Sequence, residues 1–161
     1  MTRSTRTRRA LLATAALASA AVLAGCGASE TTNYAASDGV DVTLGHLTGD
    51  NLMVLTAAKG DPGTMLGALI NDGDQPMTVQ LGVGSAVVPV QVPARSTVLL
   101  GPQQNAPAAP PATTVDVRSV PAPPGALVSV SVASDVSGRT TVQVPVLDGT
   151  LPAYASLVPS S

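Results

Sequence analysis

The sequence predicts an all-β protein: a single antiparallel Greek-key β-sandwich of about eight or nine strands. Three observations carry this expectation. From Val40 onward apolar residues alternate with polar ones at period two, the pattern of strands with one buried face. The alternating stretches recur at spacings of roughly ten residues, separated by Gly, Pro, Asn and Asp, as in two-layer β domains. After the N-terminal leader no stretch repeats apolar residues at the 3.6-residue period of an amphipathic helix.

Taken in order, Val40, Val42 and Leu44 alternate with Asp41 and Thr43 as a first strand. His46 follows in the same phase, and Thr48-Gly49-Asp50-Asn51 reads as a turn closing that strand. Residues 52–58 and 65–70 are apolar on both faces and are read as buried strands; the second ends in the turn cluster Asn71-Asp72-Gly73-Asp74-Gln75-Pro76. Period two returns at residues 79–83, 88–92, 115–118, 127–132 and 142–146. Pro89, Pro93 and Pro145 have no N–H for a ladder, so their strands are expected at an edge or with a bulge. Residues 101–112 and 121–125 are rich in proline and alanine and read as loops that stiffen the surface, not as polyproline ligands, because no basic residues flank a PxxP core.

The inventory removes most chemistries. The chain has 161 residues, 45% hydrophobic and 11% charged, with no Phe, no Trp, two Tyr, one Cys and one His. So apolar a chain is expected to fold. One cysteine makes no internal disulfide, one histidine makes no multi-histidine metal site, and two tyrosines make no base-stacking platform. The core is expected to be valine, leucine, isoleucine and alanine, since nothing larger is available.

The N-terminus reads as an export address. Arg3, Arg6, Arg8 and Arg9 precede an uncharged apolar run over residues 10–24, short of the roughly 20 residues a membrane span needs and suited to a secretory signal. Leu23-Ala24-Gly25-Cys26 then resembles a bacterial lipobox, which implies cleavage between Gly25 and Cys26 and a diacylglyceryl thioether, with palmitate-like acyl chains, on Cys26. A cut at a plain small-residue site and an uncleaved anchor are the alternatives. The division expected is a signal over residues 1–25, a lipidated cysteine and flexible tether over 26–39, and one sandwich domain over 40–159. Without the leader, Lys59, Arg95, Arg118 and Arg139 face ten acids, a net charge of −6. That balance speaks against a nucleic-acid partner.

Candidate chemistry is sparse. His46 is the only imidazole, and a packed or capping role is its default reading. Ser85 sits in Gly82-Val83-Gly84-Ser85-Ala86, which lacks the Gly-x-Ser-x-Gly elbow of hydrolases, and the same glycines do not complete a dinucleotide loop. Asn71, Asp72 and Asp74 lack the spacing and distal glutamate of an EF-hand, and turn chemistry explains them. Met53, Met65 and Met77 are soft enough for copper(I), but their apolar strands favour a core role.

Residues 67–76 (GALINDGDQP), 92–101 (VPARSTVLLG), 124–130 (PGALVSV) and 142–146 (VQVPV) resemble, in order and character, the periplasmic copper chaperone PCuAC family. The whole also looks like actinobacterial lipoproteins of unknown function distantly related to those chaperones, with Tyr154-Ala155-Ser156-Leu157-Val158-Pro159 matching their Tyr-Ala-x-x-x-Pro ending. The resemblance implies a cupredoxin- or immunoglobulin-like sandwich. The chaperones hold copper(I) with a His, a Met about eleven residues on, and a distant His-x-Met. Here Ala57 stands eleven residues after His46, and Gln103-Gln104-Asn105-Ala106 stands where His-x-Met is expected. No ligand of that site carries over.

The expected function is therefore a non-enzymatic binding module without a cofactor beyond its lipid, held on the outer face of the cell membrane and meeting another envelope protein. Metal handling through His46 with Met53, Met65 or Met77 is the alternative. An envelope hydrolase using His46 with Ser85 or another serine ranks below both.

Overall fold

A computed structural model describes residues 39–102 and 109–159. The signal, Gly25, Cys26 and nearly all of the tether lie outside the described residues. Ten strands form: β1 (Val40–Leu44), β2 (Leu47–Thr56), β3 (Gly63–Asn71), β4 (Met77–Val83), β5 (Ala86–Val92), β6 (Ser96–Leu100), β7 (Ala112–Thr113), β8 (Val115–Val117), β9 (Leu127–Ser134) and β10 (Gly138–Leu147). No helix occurs among the described residues. The all-β prediction is borne out; the strand count is ten instead of eight or nine, because β6 and the two-residue β7 were not read as strands.

The strands run β5-β4-β9-β10-β2-β3-β6-β7, with β1 also on β2 and β8 also on β3, in a nearly closed, barrel-like sheet. Most pairings are antiparallel, but β10 with β2 and β6 with β7 are parallel, which a purely antiparallel plan does not contain. β10 joins the two halves. Its residues 138–145 pair with β9, and Val146 and Leu147 then pair with Val54 and Leu55 of β2. Pro145 is the last residue registered with β9, so the missing N–H marks the handover and not a sheet edge. Pro89 does lie on an edge: β5 ends the path and pairs only with β4.

The Thr48-Gly49-Asp50-Asn51 stretch is not a turn. The turn is Gly45-His46, between the paired residues Leu44 and Leu47, with Gly45 at φ +59°, the positive φ that a two-residue hairpin loop requires. β2 continues through the polar stretch and bulges: Asp50 opposes Ala68 and Met53 opposes Leu66, leaving Asn51 and Leu52 against Gly67 alone. Asn51 takes φ +52°, which Asn tolerates better than most residues. A Cβ on Gly67 would lie 2.8 Å from Asp50 O and 2.9 Å from Asn51 O, so only glycine fits opposite. The extra residue shifts the side-chain phase, as a bulge must. Leu47 and Gly49 point inward before it, Leu52 and Val54 after it, and Met53 and Leu55 emerge on the outer side.

The main core lies between the two halves and is mostly valine, with Leu47, Leu52, Leu69, Leu81, Leu100, Met65 and Met77. A second, smaller core of Met53, Leu55 and Leu66 lies outside β2 and β3, under Leu147, Tyr154, Leu157 and Val158. The valine-built interior is as expected; the outer core accounts for the apolar residues on both faces of the stretches at 52–55 and 65–70.

Candidate functional site

Four connections meet at one end of the barrel: the β1–β2 turn with His46, the β3–β4 loop over residues 72–76, the β5–β6 turn over 93–95, and the β9–β10 turn over 135–137. Asn71 organises two of them. It stands at an inward position of β3, in phase with Leu69, and is 1% exposed. A buried amide must find partners, and this one finds them in the loops. Its Nδ2 donates to Gln75 O at 2.8 Å and Pro93 O at 3.0 Å, and its Oδ1 accepts from Gly73 N–H at 3.0 Å. Arg95 N–H then donates to Gly73 O at 3.0 Å, closing the link between the two loops. Arg95 holds φ +51° to do so.

Two side-chain pairs overlie this frame. The His46 ring places Nδ1 2.7 Å from Asp72 Oδ1, while Asp72 N–H donates to His46 O at 3.1 Å. The Arg95 guanidinium pairs with the Asp74 carboxylate. All four side chains are more than 70% exposed, so each pair contributes at most about 1 kcal/mol and orients groups more than it stabilises the fold. On the far side Thr78 N–H donates to Asp135 Oδ1 at 3.1 Å, and Val136 stands 64% exposed at the tip of its turn. Between these loops lies a cleft of about 320 Å³, lined by His46, Asn71, Asp74, Gln75, Met77 and Val136.

The candidates read from sequence are placed as follows. His46 is neither packed against valines nor capping a strand: it is exposed at a hairpin tip with an acid partner. Of the methionines, Met77 lines the His46 cleft, although the residue is 2% exposed and its sulfur accepts from Ser134 Oγ at 3.7 Å. Met65 is buried in the main core and Met53 in the outer core, so neither is brought to His46. Ser85 lies in the β4–β5 hairpin, on a separate cleft of about 400 Å³ with Asp116 and Arg118. The hydrolase pairing of His46 with Ser85 is therefore not assembled. Asp72 faces the His46 ring and Asp74 the Arg95 guanidinium, instead of each other. Among the described residues no three His, Cys, Asp or Glu side chains are grouped to hold a metal ion. Gln103-Gln104-Asn105-Ala106, at the chaperones' His-x-Met position, lies outside the described residues.

Sequence reading missed Asn71 and Arg95 as organisers. The signal was present for the first: a polar amide at an inward phase of a strand otherwise apolar on both faces.

Elsewhere, Asp50 carries a carboxyl pushed above its usual range, first by desolvation and then by the hydrogen bond and charge of Asp41. Asp41 itself accepts Asn51 N–H at 2.9 Å. Both acids flank the bulge.

No family model and no curated protein matches the chain. Solved structures do. The apo PCuAC domain from PmoF1 superposes with a TM-score of 0.50 at 14% identity, over 66% of this chain and 98% of that domain. The apo PmoF2 PCuAC domain gives 0.50 at 13% identity, over 70% and 98%. The distant PCuAC-like resemblance seen in the sequence is thus a likeness of fold.

Proposed function

We propose that this chain is a membrane-anchored envelope lipoprotein whose β domain is a non-enzymatic interaction module, and that the loop end around His46, Arg95 and Val136 is its contact surface. The observation that carries the reading is the mutual pinning of the loops through Asn71. Loops held before binding lose little entropy on association, and rigidly based loops are where binding residues concentrate. The rim offers both signs of charge and an exposed valine beside an apolar cleft, the mixture of a small protein contact. The site of attachment agrees with this use. Gly39 precedes β1, and the five residues of that strand separate it from the His46 turn, roughly 16 Å at the rise of a strand. A tether reaching an acylated Cys26 would join the domain at the end of β1 away from the loops.

A photo-crosslinking residue placed at Val136 in the intact envelope tests this. The expected result is a discrete protein adduct at Val136 and none at Val87, which is equally exposed on β5. Adducts of equal yield at both positions, or none at Val136, would contradict the reading.

One observation favours a second reading, copper handling: His46 and Met77 line the same cleft, and imidazole and thioether are ligands that copper(I) accepts. Equilibrium dialysis with copper(I) decides it. Affinity lost in both His46→Ala and Met77→Leu would support this reading, and affinity unchanged in the pair would dispose of it.

A further inference from the structure

The C-terminal segment, residues 149–159, plays no part in the loop end, yet it covers the most unusual surface of the barrel. The β2 bulge turns Met53 and Leu55 to the outside of the sheet. The outer face of such a strand is ordinarily polar, but these two side chains are 2% and 0% exposed. Tyr154, Leu157 and Val158 make the difference, packing with Leu147 over Met53, Leu55 and Leu66. This gives the Tyr154-to-Pro159 pattern a physical role. Local turns shape the segment: Tyr154 N–H and Ala155 N–H donate to Leu151 O, and Leu157 N–H to Tyr154 O. At its root, Thr150 N–H donates to Asp148 Oδ1 at 2.9 Å. Open space borders it on both sides, about 450 Å³ beside Leu157 and about 260 Å³ beside Leu151 and Tyr154. Short-range turns and docked side chains, flanked by clefts open to solvent, suit an element that opens ahead of the body it covers.

We propose that residues 149–159 form a strap that opens while the barrel stays folded, and that Met53 beneath it is an oxidation site for hydroperoxides which holds the strap open. The chemistry is an oxygen transfer. The peroxide O–O bond breaks, a sulfur–oxygen bond forms at Met53 Sδ, the sulfur gives up two electrons, and the peroxide leaves as water or an alcohol. The product is polar. Closing the strap over it would bury a sulfoxide oxygen against Leu55 and Leu66 without a donor, so the closed state is disfavoured. The other described methionines lack this gate. Met65 is 0% exposed inside the barrel and is reached only by unfolding it. Met77, 2% exposed, borders the loop-end cleft and not the strap.

The test treats the full chain with hydrogen peroxide and follows each methionine by peptide mass spectrometry, with amide hydrogen exchange of residues 149–159 alongside. Met53 is expected to oxidise at least about tenfold faster than Met65, and Leu157→Ala to raise the Met53 rate by a further factor of about ten while Met65 is unchanged. Strap protection should fall after oxidation, return after treatment with a methionine sulfoxide reductase, and be indifferent to peroxide in Met53→Leu. Equal rates at Met53 and Met65, or a Met53 sulfoxide formed with strap protection intact, would overturn the proposal. If Leu157→Ala does not fold, the wild-type rates and Met53→Leu decide alone.

Discussion

Replacing Asn71 by alanine removes the clamp on which the loop end is built, and its cost can be worked from the structure. The amide makes three short hydrogen bonds, to Gln75 O, Pro93 O and Gly73 N–H, at 2.8, 3.0 and 3.0 Å. At a net value of about 1 kcal/mol each, Asn71→Ala loses about 3 kcal/mol. For a domain of this size that is a fall in Tm of about 10–15 °C. Asn71→Asp keeps the volume but aims a carboxylate at two carbonyl oxygens, so it is expected to cost at least as much at neutral pH. Urea unfolding of both variants measures the loss. Hydrogen exchange at Asp72, Gly73 and Arg95 locates it, and should rise beyond the global change because the β3–β4 and β5–β6 connections separate. A loss under about 1 kcal/mol, with exchange at those amides unaltered, would show that the loops hold one another without Asn71, and the rigid contact surface would lose its basis.

Two further outcomes follow from the bulge region. Gly67→Ala, forced to φ +133° with its Cβ against two backbone oxygens, is expected to destabilise by about 3 kcal/mol in the same unfolding assay; a change within about 0.5 kcal/mol would mean that the bulge yields at little cost. Asp50→Asn is expected to stabilise at pH 7 by at most about 0.5 kcal/mol, because the carboxylates are solvent-screened. The sign follows from the raised carboxyl: the folded state holds the proton more tightly, so the charged form opposes folding above the folded-state pKa. The penalty is absent below the unfolded carboxyl pKa and grows as pH rises between the two. A gain equally large at pH 3 would refute that cause.

Much of the fold was legible because strand faces repeat every two residues. Val79, Leu81 and Val83 point inward, as do Val128, Val130 and Val132, and seven of the eight stretches read as strands lie almost wholly within the observed elements. The remaining reading, residues 52–58, found only the second half of β2. Its first half is polar at Thr48, Asp50 and Asn51, and the bulge breaks the alternation there, so local composition imitates a turn. β6 is not evident locally because Leu99, between inward Val98 and Leu100, makes the stretch a continuous apolar run without alternation, and its ladder to β3 is long-range. Parallel pairing of β10 with β2 depends on where Pro145 releases β9, which no local pattern encodes. The candidate site was legible as composition and not as assembly. His46, Asp72 and Asp74 were each singled out, but their partners come from loops distant in sequence, and Asn71 was read as a turn residue when its amide is the buried centre of the cluster. The two-faced apolar run at residues 52–55 did carry a message about residues 149–159: an outward Met53 and Leu55 require a cover.

The reading of this chain as an anchored envelope module stands or falls with Cys26. Intact-mass spectrometry of the protein extracted in detergent from its native membranes tests it directly. The expected species begins at Cys26 and is heavier than its amino acids by a thioether-linked diacylglyceryl group. A free thiol at that position, or a chain still carrying residues 1–25, would contradict it.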